Sequence, residues 1–245
     1  MIEEKKIDGI RVAKVISQSG LCSRREAEQL IVEGRVTVNG ETINTPAVFI
    51  TDQSIKVDGK LINAKQETRL WLLYKPVGTI TSAKDPKNRK TIFKILPKNM
   101  PRVISVGRLD FNTEGLIVLT TNGALASYME MPKNKWVRKY RARVFGKIDH
   151  ERLKALENGI TIEGIHYGSV KVSVDVEKES NSWLTISLQE GKNREIRNIM
   201  EHLGLQVNRL IRVSFGPFVL GNMQIGELRE INKKQLESFI PAEIL

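Results

Sequence analysis

Between Val106 and Gly123 the chain reads V-G-R-L-D-F-N-T-E-G-L-I-V-L-T-T-N-G. Two carboxylates (Asp110, Glu114), one guanidinium (Arg108) and two small polar side chains (Asn112, Thr113) stand within seven positions. An apolar strand-like run, Arg102 to Val106, leads in, and Gly115 opens a second, Leu116 to Leu119. The carboxylates therefore occupy a short polar loop between two segments that read as buried. A rigid scaffold can aim such a loop, and function concentrates on loops so held. One reading is a plain connecting loop with a surface aspartate. A second is calcium, because Asp110, Asn112, Glu114 and Gly115 fall at positions 1, 3, 5 and 6 of an EF-hand loop. That loop needs a bidentate Glu at position 12, which is Thr121 here, and a helix where this sequence is β-rich.

Two further stretches carry reactive or charged groups. Residues 133–147 hold Lys133, Lys135, Arg138, Lys139, Arg141, Arg143 and Lys147 with no acid among them. Read as a strand, this places Tyr140, Ala142 and Val144 on one face and Lys139, Arg141 and Arg143 on the other. Glu190 to Met200, E-G-K-N-R-E-I-R-N-I-M, reads as a strand end, a Gly turn and a helix opening with Arg194 and Arg197.

The formal net charge is +11, which points to a polyanionic partner. Residues 1–63 hold nine Lys/Arg and nine Asp/Glu, so the excess lies entirely in the remainder. A single cysteine, Cys22, excludes an internal disulfide and a multi-cysteine metal site, and His150, His166 and His202 have no metal-ligand spacing. Met1 to Lys6 lacks the apolar region of a signal peptide, and no apolar run approaches the ~20 residues of a membrane span. A cytoplasmic protein without metal or cofactor is the expectation.

The elements that must position these groups follow from periodicity. Ile10, Val12, Val15 and Ile16 predict a short helix broken by Gly20. Ser23 and Glu26 have capping-box spacing for a second helix that buries Ala27, Leu30 and Ile31 and ends at Gly34. Asn39-Gly40 and Asp58-Gly59 predict hairpin turns between short strands. Ala64 to Thr68 reads as a linker. Leu70 to Tyr74 is a buried strand ended by Lys75-Pro76-Val77-Gly78, and Ala83 to Lys90 is a basic loop. Ala124 to Met129 and Glu151 to Asn158 read as helices. Val170 to Val176, Trp183 to Leu188, Leu210 to Pro217 and Leu220 to Gly226 read as strands, with Leu228 to Ile231 and Lys233 to Phe239 closing the chain.

The motif G-R-L-D-x-x-T-x-G-L-x-x-x-T-x-x-G resembles the catalytic motif of pseudouridine synthases, in the branch acting on ribosomal RNA. K-P-x-G at Lys75 to Gly78, the strand around Tyr140 and E-G-x-x-R-x-[IV]-R at Glu190 to Arg197 resemble that family's other motifs. The resemblance implies that Asp110 is the catalytic aspartate, that Arg197 pairs with it, and that Tyr140 packs against the target uracil. It implies that Arg108 fills the space left by a flipped base and that K-P-x-G shapes the floor beside the loop. Lys135, Arg138, Lys139 and Arg194 are then candidate contacts to RNA. S-G-L-C-S-R-R-E-A-E-Q-L-I-V-E-G-R-V-T-V-N-G similarly resembles an S4-type RNA-binding domain over about residues 8–60, which would set Arg11, Lys14, Arg24, Arg25 and Arg35 near phosphate.

The expected fold is α+β. A small S4-type domain of two helices and a small sheet (1–63) and a linker (64–68) precede a catalytic domain (69–245) with a mixed, mainly antiparallel sheet flanked by helices. The expected partner is ribosomal RNA, large-subunit (23S) rather than small-subunit (16S), either free or as an assembly intermediate, bound by a monomer. A non-catalytic RNA-binding or ribosome-assembly protein is the alternative from another class. It would have no use for a carboxylate facing phosphates.

Overall fold

The computed structural model describes residues 9–62, 66–83 and 85–245. The chain start, residues 64 and 65 of the expected linker and Lys84 of the expected basic loop lie outside them. Two compact units result. The first gathers the described residues up to Thr68 with Asn99–Ile104 and Thr121–Gly123, and the second holds the rest.

In the first unit, helix α1 (Val12–Gln18) buries Val12, Ala13 and Ile16. Ile10 does not join it as expected. Ile10–Arg11 pairs instead with Phe49–Ile50 as a short ladder, which leaves Ile10 exposed. Helix α2 (Arg24–Val32) starts at Ser23, whose hydroxyl accepts the Glu26 N–H at 3.2 Å while the Glu26 carboxylate accepts the Ser23 N–H at 2.9 Å. Two of the orphan donors at the helix start are thereby satisfied. Strands β1 (Val36–Val38), β2 (Glu41–Ile43), β3 (Ile55–Val57) and β4 (Lys60–Leu61) form a sheet of order β2-β1-β3-β4. Asn39 and Gly40 (φ 50° and 90°) and Asp58 and Gly59 (φ 50° and 74°) are left-handed at both turn positions, the geometry that matches strand twist in a two-residue hairpin. Val12, Ile16, Ala27, Ile31, Val36, Ile55 and Val57 make the core of this unit.

The second unit is built on strands β5 (Leu70–Lys75), β6 (Ile104–Val106), β7 (Glu114–Thr120), β8 (Arg138–Phe145), β9 (Val170–Val176), β10 (Asn181–Leu188), β11 (Gln206–Phe215), β12 (Phe218–Val219) and β13 (Leu228–Ile231). They form a nine-stranded sheet of order β9-β10-β8-β11-β7-β5-β13, with β6 on β7 and β12 on β11. Along that path the ladders are antiparallel apart from β11 on β7, which run parallel with Ile211 opposite Glu114 and Arg212 opposite Gly115. Strands β5 and β7 are buried at every position, which is why both read as unbroken apolar runs. Helices α3 (Gly123–Glu130) and α6 (Lys233–Phe239) bring Leu125, Met129 and Leu236 onto Leu70, Leu72, Leu116 and Val118. Helix α4 (His150–Ala155) lies against β9 and helix α5 (Glu195–His202) against β11.

Strand β8 alternates as its sequence requires. Arg138, Tyr140, Ala142 and Val144 are buried, and Lys139, Arg141, Arg143 and Phe145 are exposed. The expected strand Leu220 to Gly226 is absent. After β12 the chain turns through Gly221 and Gly226 (φ 55° and 83°), and Leu220 and Met223 are buried from irregular backbone.

Candidate active site

The loop between β6 and β7 carries Asp110, and its backbone is tied down at almost every residue. Gly107 (φ 68°) turns the chain, and its N–H donates to Glu130 Oε1 at 2.8 Å. Thr81 Oγ1 donates to Leu109 O at 3.0 Å and accepts the Leu109 N–H at 3.2 Å. The Gly78 N–H donates to Phe111 O at 2.9 Å, and the Thr113 N–H to Asp110 O at 3.1 Å. Beneath the loop, Lys75 Nζ donates to the carbonyls of Asp110 (3.1 Å), Thr113 (2.7 Å) and Pro76 (3.2 Å). Lys75 is fully buried at the end of β5. Burial pushes its pKa down to about 8, although the Asp110 and Glu114 carboxylates pull the other way.

Glu114, two residues past the turn, faces away from the loop's open side. Its carboxylate accepts Arg209 Nε at 2.6 Å and the Tyr74 hydroxyl at 3.1 Å. With the Glu114 side chain engaged and Leu116 O accepting from Arg212 Nε, the calcium-loop reading loses its ligands at positions 5 and 7. Gly115 is required by packing. A Cβ there would lie 2.4 Å from Arg212 O across the parallel ladder, and its φ of 104° already disfavours a side chain.

The facing wall is the loop from Gln189 to Arg194 and the start of α5. Arg194 stands just before the helix in a left-handed conformation (φ 49°) rather than within it. Glu195 is buried, its Oε2 accepts the Lys192 N–H at 2.9 Å, and its carboxyl lies in hydrogen-bond contact with that of Glu190. Burial, with the Glu190 carboxylate beside it, pushes the Glu195 pKa up to about 7. Burial works against ionisation of Glu190 as well, but the Lys192 ammonium and the Gly168 N–H outweigh it and hold that carboxyl below its usual range. Of the two carboxyls, Glu195 is therefore the one that holds a proton more readily.

Arg197 links the two walls. Nη1 donates to Val207 O at 2.8 Å and Nη2 to Asn112 O at 2.9 Å, while Nε is buried without a partner among the described residues. The expected direct ion pair with Asp110 is not made. Among the described residues the Asp110 carboxylate forms no hydrogen bond or ion pair, and Arg197 acts on it only through space. Burial and the neighbouring Arg194 lower the Arg197 pKa, and the Asp110 carboxylate partly restores it. The guanidinium goes to the carbonyls of Asn112, an exposed residue, and Val207, a half-buried one.

Between the walls lies a cavity of about 710 Å³ lined by Asp110, Arg108, Phe111, Tyr140, Arg138, Arg194, Glu195 and Arg197, with Leu188 and Leu210 supplying apolar surface. Tyr140 is 8 % exposed. Arg138 is buried beside it, with Nη1 on Gln189 O at 2.6 Å and its guanidinium over the Phe215 ring, and burial lowers its pKa. The cavity thus gathers Asp110, Tyr140, Arg197, Arg108, Arg138 and Arg194 from distant parts of the sequence. Two expected contacts are not among its lining residues. Lys139 points from the opposite face of β8, and Lys135 occupies a left-handed turn (φ 51°) before that strand. In the first unit Arg24 and Arg25 are exposed and Lys14 is half-buried, but Arg35 is held by Asp58 (2.7 Å at both oxygens) and Glu33 (3.1 Å), so its charge is already answered.

The charge of Lys75 beneath the loop, the Glu195–Glu190 proton pair and the buried Arg212, whose Nε donates to Leu116 O at 2.7 Å, were not singled out by sequence. For Lys75 a signal existed, since a lysine closing an apolar strand before a proline must bury its ammonium somewhere.

A family model described as RNA pseudouridylate synthase matches residues 69–202, and one described as S4 domain matches residues 10–52. The chain belongs to the RNA pseudouridine synthase family. An uncharacterized RNA pseudouridine synthase of Rickettsia felis is 51 % identical over 229 residues, spanning 93 % of this chain and 99 % of the relative. The ribosomal large subunit pseudouridine synthase B of Pasteurella multocida is 35 % identical over 258 residues, spanning 99 % of this chain and 74 % of that protein. A crystal structure of a pseudouridylate synthase aligns with a TM-score of 0.67 at 24 % identity, covering 94 % of this chain and all of the other. The pseudouridine synthase fold, with an S4 domain before a mixed sheet, is therefore shared. RNA is the substrate class of the family, and no helix among the described residues is long and apolar enough to cross a membrane.

Proposed function

We propose that this enzyme converts a uridine of large-subunit ribosomal RNA to pseudouridine, with Asp110 as the reacting group. One observation carries the reading: the Asp110 carboxylate has no partner among the described residues, stands on a loop held by Lys75, and faces a cavity shared with Tyr140 and Arg197. The similarity to the large subunit synthases B of Pasteurella multocida and Haemophilus influenzae favours large-subunit RNA. A cytoplasmic monomer acting on RNA is consistent with that substrate.

The isomerisation breaks the N1–C1′ bond and forms a C5–C1′ bond, while C5 loses a hydrogen and N1 gains one. It involves no net oxidation. An ionised carboxylate at Asp110 can add to C6, attack C1′ or remove a sugar proton, and all three routes start from the same charged group. The Lys75 ammonium below and the Arg197 guanidinium opposite place positive charge beside that carboxylate. Tyr140 holds the ring of a base that has left its stack, offsetting an unstacking cost of a few kcal/mol. Arg108 at the cavity edge fills the vacated space, and Arg138 and Arg194 supply positive charge for backbone phosphates. Arg24, Arg25 and Lys14 of the S4 domain add contacts that position without reading sequence.

The test is a map of pseudouridines in ribosomal RNA from a strain lacking the gene. One large-subunit position should lose its pseudouridine, regain it with the wild-type gene, and stay unmodified with Asp110→Asn. Loss at a small-subunit position would move the substrate, and restoration by Asp110→Asn would remove Asp110 from the chemistry.

A further inference from the structure

The cavity uses one face of the sheet, and the opposite face of the same strands is open. Cross-strand register sets Lys171, Ser187, Lys139 and Ser214 in one row there. Ser173, Thr185, Arg141 and Ile211 form the next row, and Trp183, Arg143 and Arg209 the third. Along β8 the cations Lys139, Arg141 and Arg143 repeat every second residue, roughly 7 Å apart. That is a ladder of charge along one extended strand, suited to successive phosphates of one nucleic-acid chain.

The pattern of partners separates this face from an ordinary solvated one. A sheet face open to water normally mixes both signs of charge. Here Lys139, Arg143 and Lys171 have no hydrogen bond or ion pair among the described residues, and the acids nearby are already engaged. Asp175 accepts Thr185 Oγ1 at 2.8 Å and lies 3.6 Å from Arg141, and buried Glu114 takes Arg209. What is left over is positive. Aromatic surface lies within it, with Trp183 under the Arg141 guanidinium at 4.8 Å and Phe145 49 % exposed at the end of β8. Cations interleaved with ring faces are what a single-stranded segment offers phosphates and bases to.

We infer that the exposed face of β9, β10, β8 and β11 is a second RNA-binding surface, which holds the backbone of the substrate RNA outside the target site. The inference rests on the RNA-modifying reading, and its test measures binding, so it can fail while the isomerase activity stands. Strand β8 then serves the RNA on both sides, with Arg138 and Tyr140 in the cavity and Lys139 and Arg143 on the back.

The triple variant Lys139→Gln, Arg143→Gln, Lys171→Gln removes the unanswered charges at exposed positions without adding acid beside Asp175. Binding would be followed by fluorescence anisotropy across a potassium chloride series, with a short stem-loop carrying the target uridine and with a ribosomal RNA fragment several times longer. A thermal melt confirms that the variant is folded. For the long fragment, affinity should fall roughly tenfold or more and the slope of log K against log salt should shrink by about two to three, one unit or slightly less per lost phosphate contact. The stem-loop should lose much less. A wild-type slope and affinity with the long fragment would overturn the inference. An equal loss with both RNAs would also overturn it, because the three cations would then belong to the cleft's own site.

Discussion

The Asp110 loop gives its backbone carbonyls and amides to Lys75, Thr81, Gly78 and Glu130 and leaves only the neutral Thr113 Oγ1 buried without a partner, whereas the wall before α5 leaves the charged Arg197 Nε without one among the described residues. Buried polar groups without partners are uncommon, and each one asks for an explanation. On the first wall the backbone hydrogen bonds are internal, so the position of Asp110, the proposed reacting carboxylate, is set by the protein itself. On the second wall positive charge is concentrated and incompletely answered, which suits the RNA contact proposed above. The molecule separates the two tasks. One side of the cleft holds geometry, and the other receives charge.

The sharpest break of this contrast is Arg197→Met, which removes the one side chain reaching across. Asn112 O and Val207 O lose their donor and Asp110 loses the cation opposite it. Turnover should fall by roughly 10²- to 10³-fold, the scale of losing one preorganised electrostatic group, with a far smaller change in RNA affinity. Single-turnover kinetics beside equilibrium binding would show it, and equal losses in both would make Arg197 a binding residue only.

Lys75→Met tests the fixed wall. Three carbonyls lose their common donor, and displacement of the Asp110 loop by an ångström can cost about 10²-fold in rate. Stem-loop turnover by a variant with a wild-type melt is the measurement, and full activity would mean that the other tethers suffice.

The same lysine gives a pH prediction with two opposed signs. Its pKa is about 8 in the folded protein against an ordinary value of 10.5. Between those values the unfolded chain keeps a proton that the folded chain has released, so this group's contribution to stability rises as pH rises through that window. Turnover should move the other way, because the neutral amine has two hydrogens for three carbonyls and no charge to favour ionised Asp110. Wild type compared with Lys75→Met from pH 7 to 10 should therefore gain relative stability while its rate declines. A rate that stays flat through pH 9 would remove the Lys75 charge from the mechanism.

The smallest effect belongs to Glu195→Gln on the unfinished wall. A carboxyl whose pKa is raised to about 7 contributes stability below its unfolded value and loses it as pH rises through 7. Glutamine cannot ionise, so the variant should match wild type near pH 5 and exceed it by up to about 2 kcal/mol at pH 8. Denaturant melts at the two pH values decide it, and identical pH dependence of both proteins would place the proton elsewhere.

What the sequence disclosed was local. The capping box at Ser23, the turns at Asn39-Gly40 and Asp58-Gly59 and the alternation of β8 each depend on residues a few positions apart, and each is present. The segment Leu220 to Gly226 misled because burial of Leu220 and Met223 needs apolar side chains but not a strand. Partners distant in sequence were the hidden part. Nothing near Arg35 announces that Asp58, across the β1–β3 pair, will take its charge. The motifs named Arg197 and Asp110 as neighbours, and the cavity unites them. Which atoms the guanidinium meets depends on carbonyls at 112 and 207, 85 and 10 positions away in sequence, whose approach only the fold sets.

The parallel ladder of β11 on β7 has a consequence for the cleft as a whole. Asp110 belongs to the half of the sheet that contains β5 and β7, and Arg197 to the half that contains β8, β10 and β11. Ile211 to Glu114 and Arg212 to Gly115 are the rungs that join the halves, so those four residues set how far apart the two walls of the cavity stand. A methyl group at Gly115, pressed against the Arg212 carbonyl, would widen or skew that opening without altering any side chain that lines it.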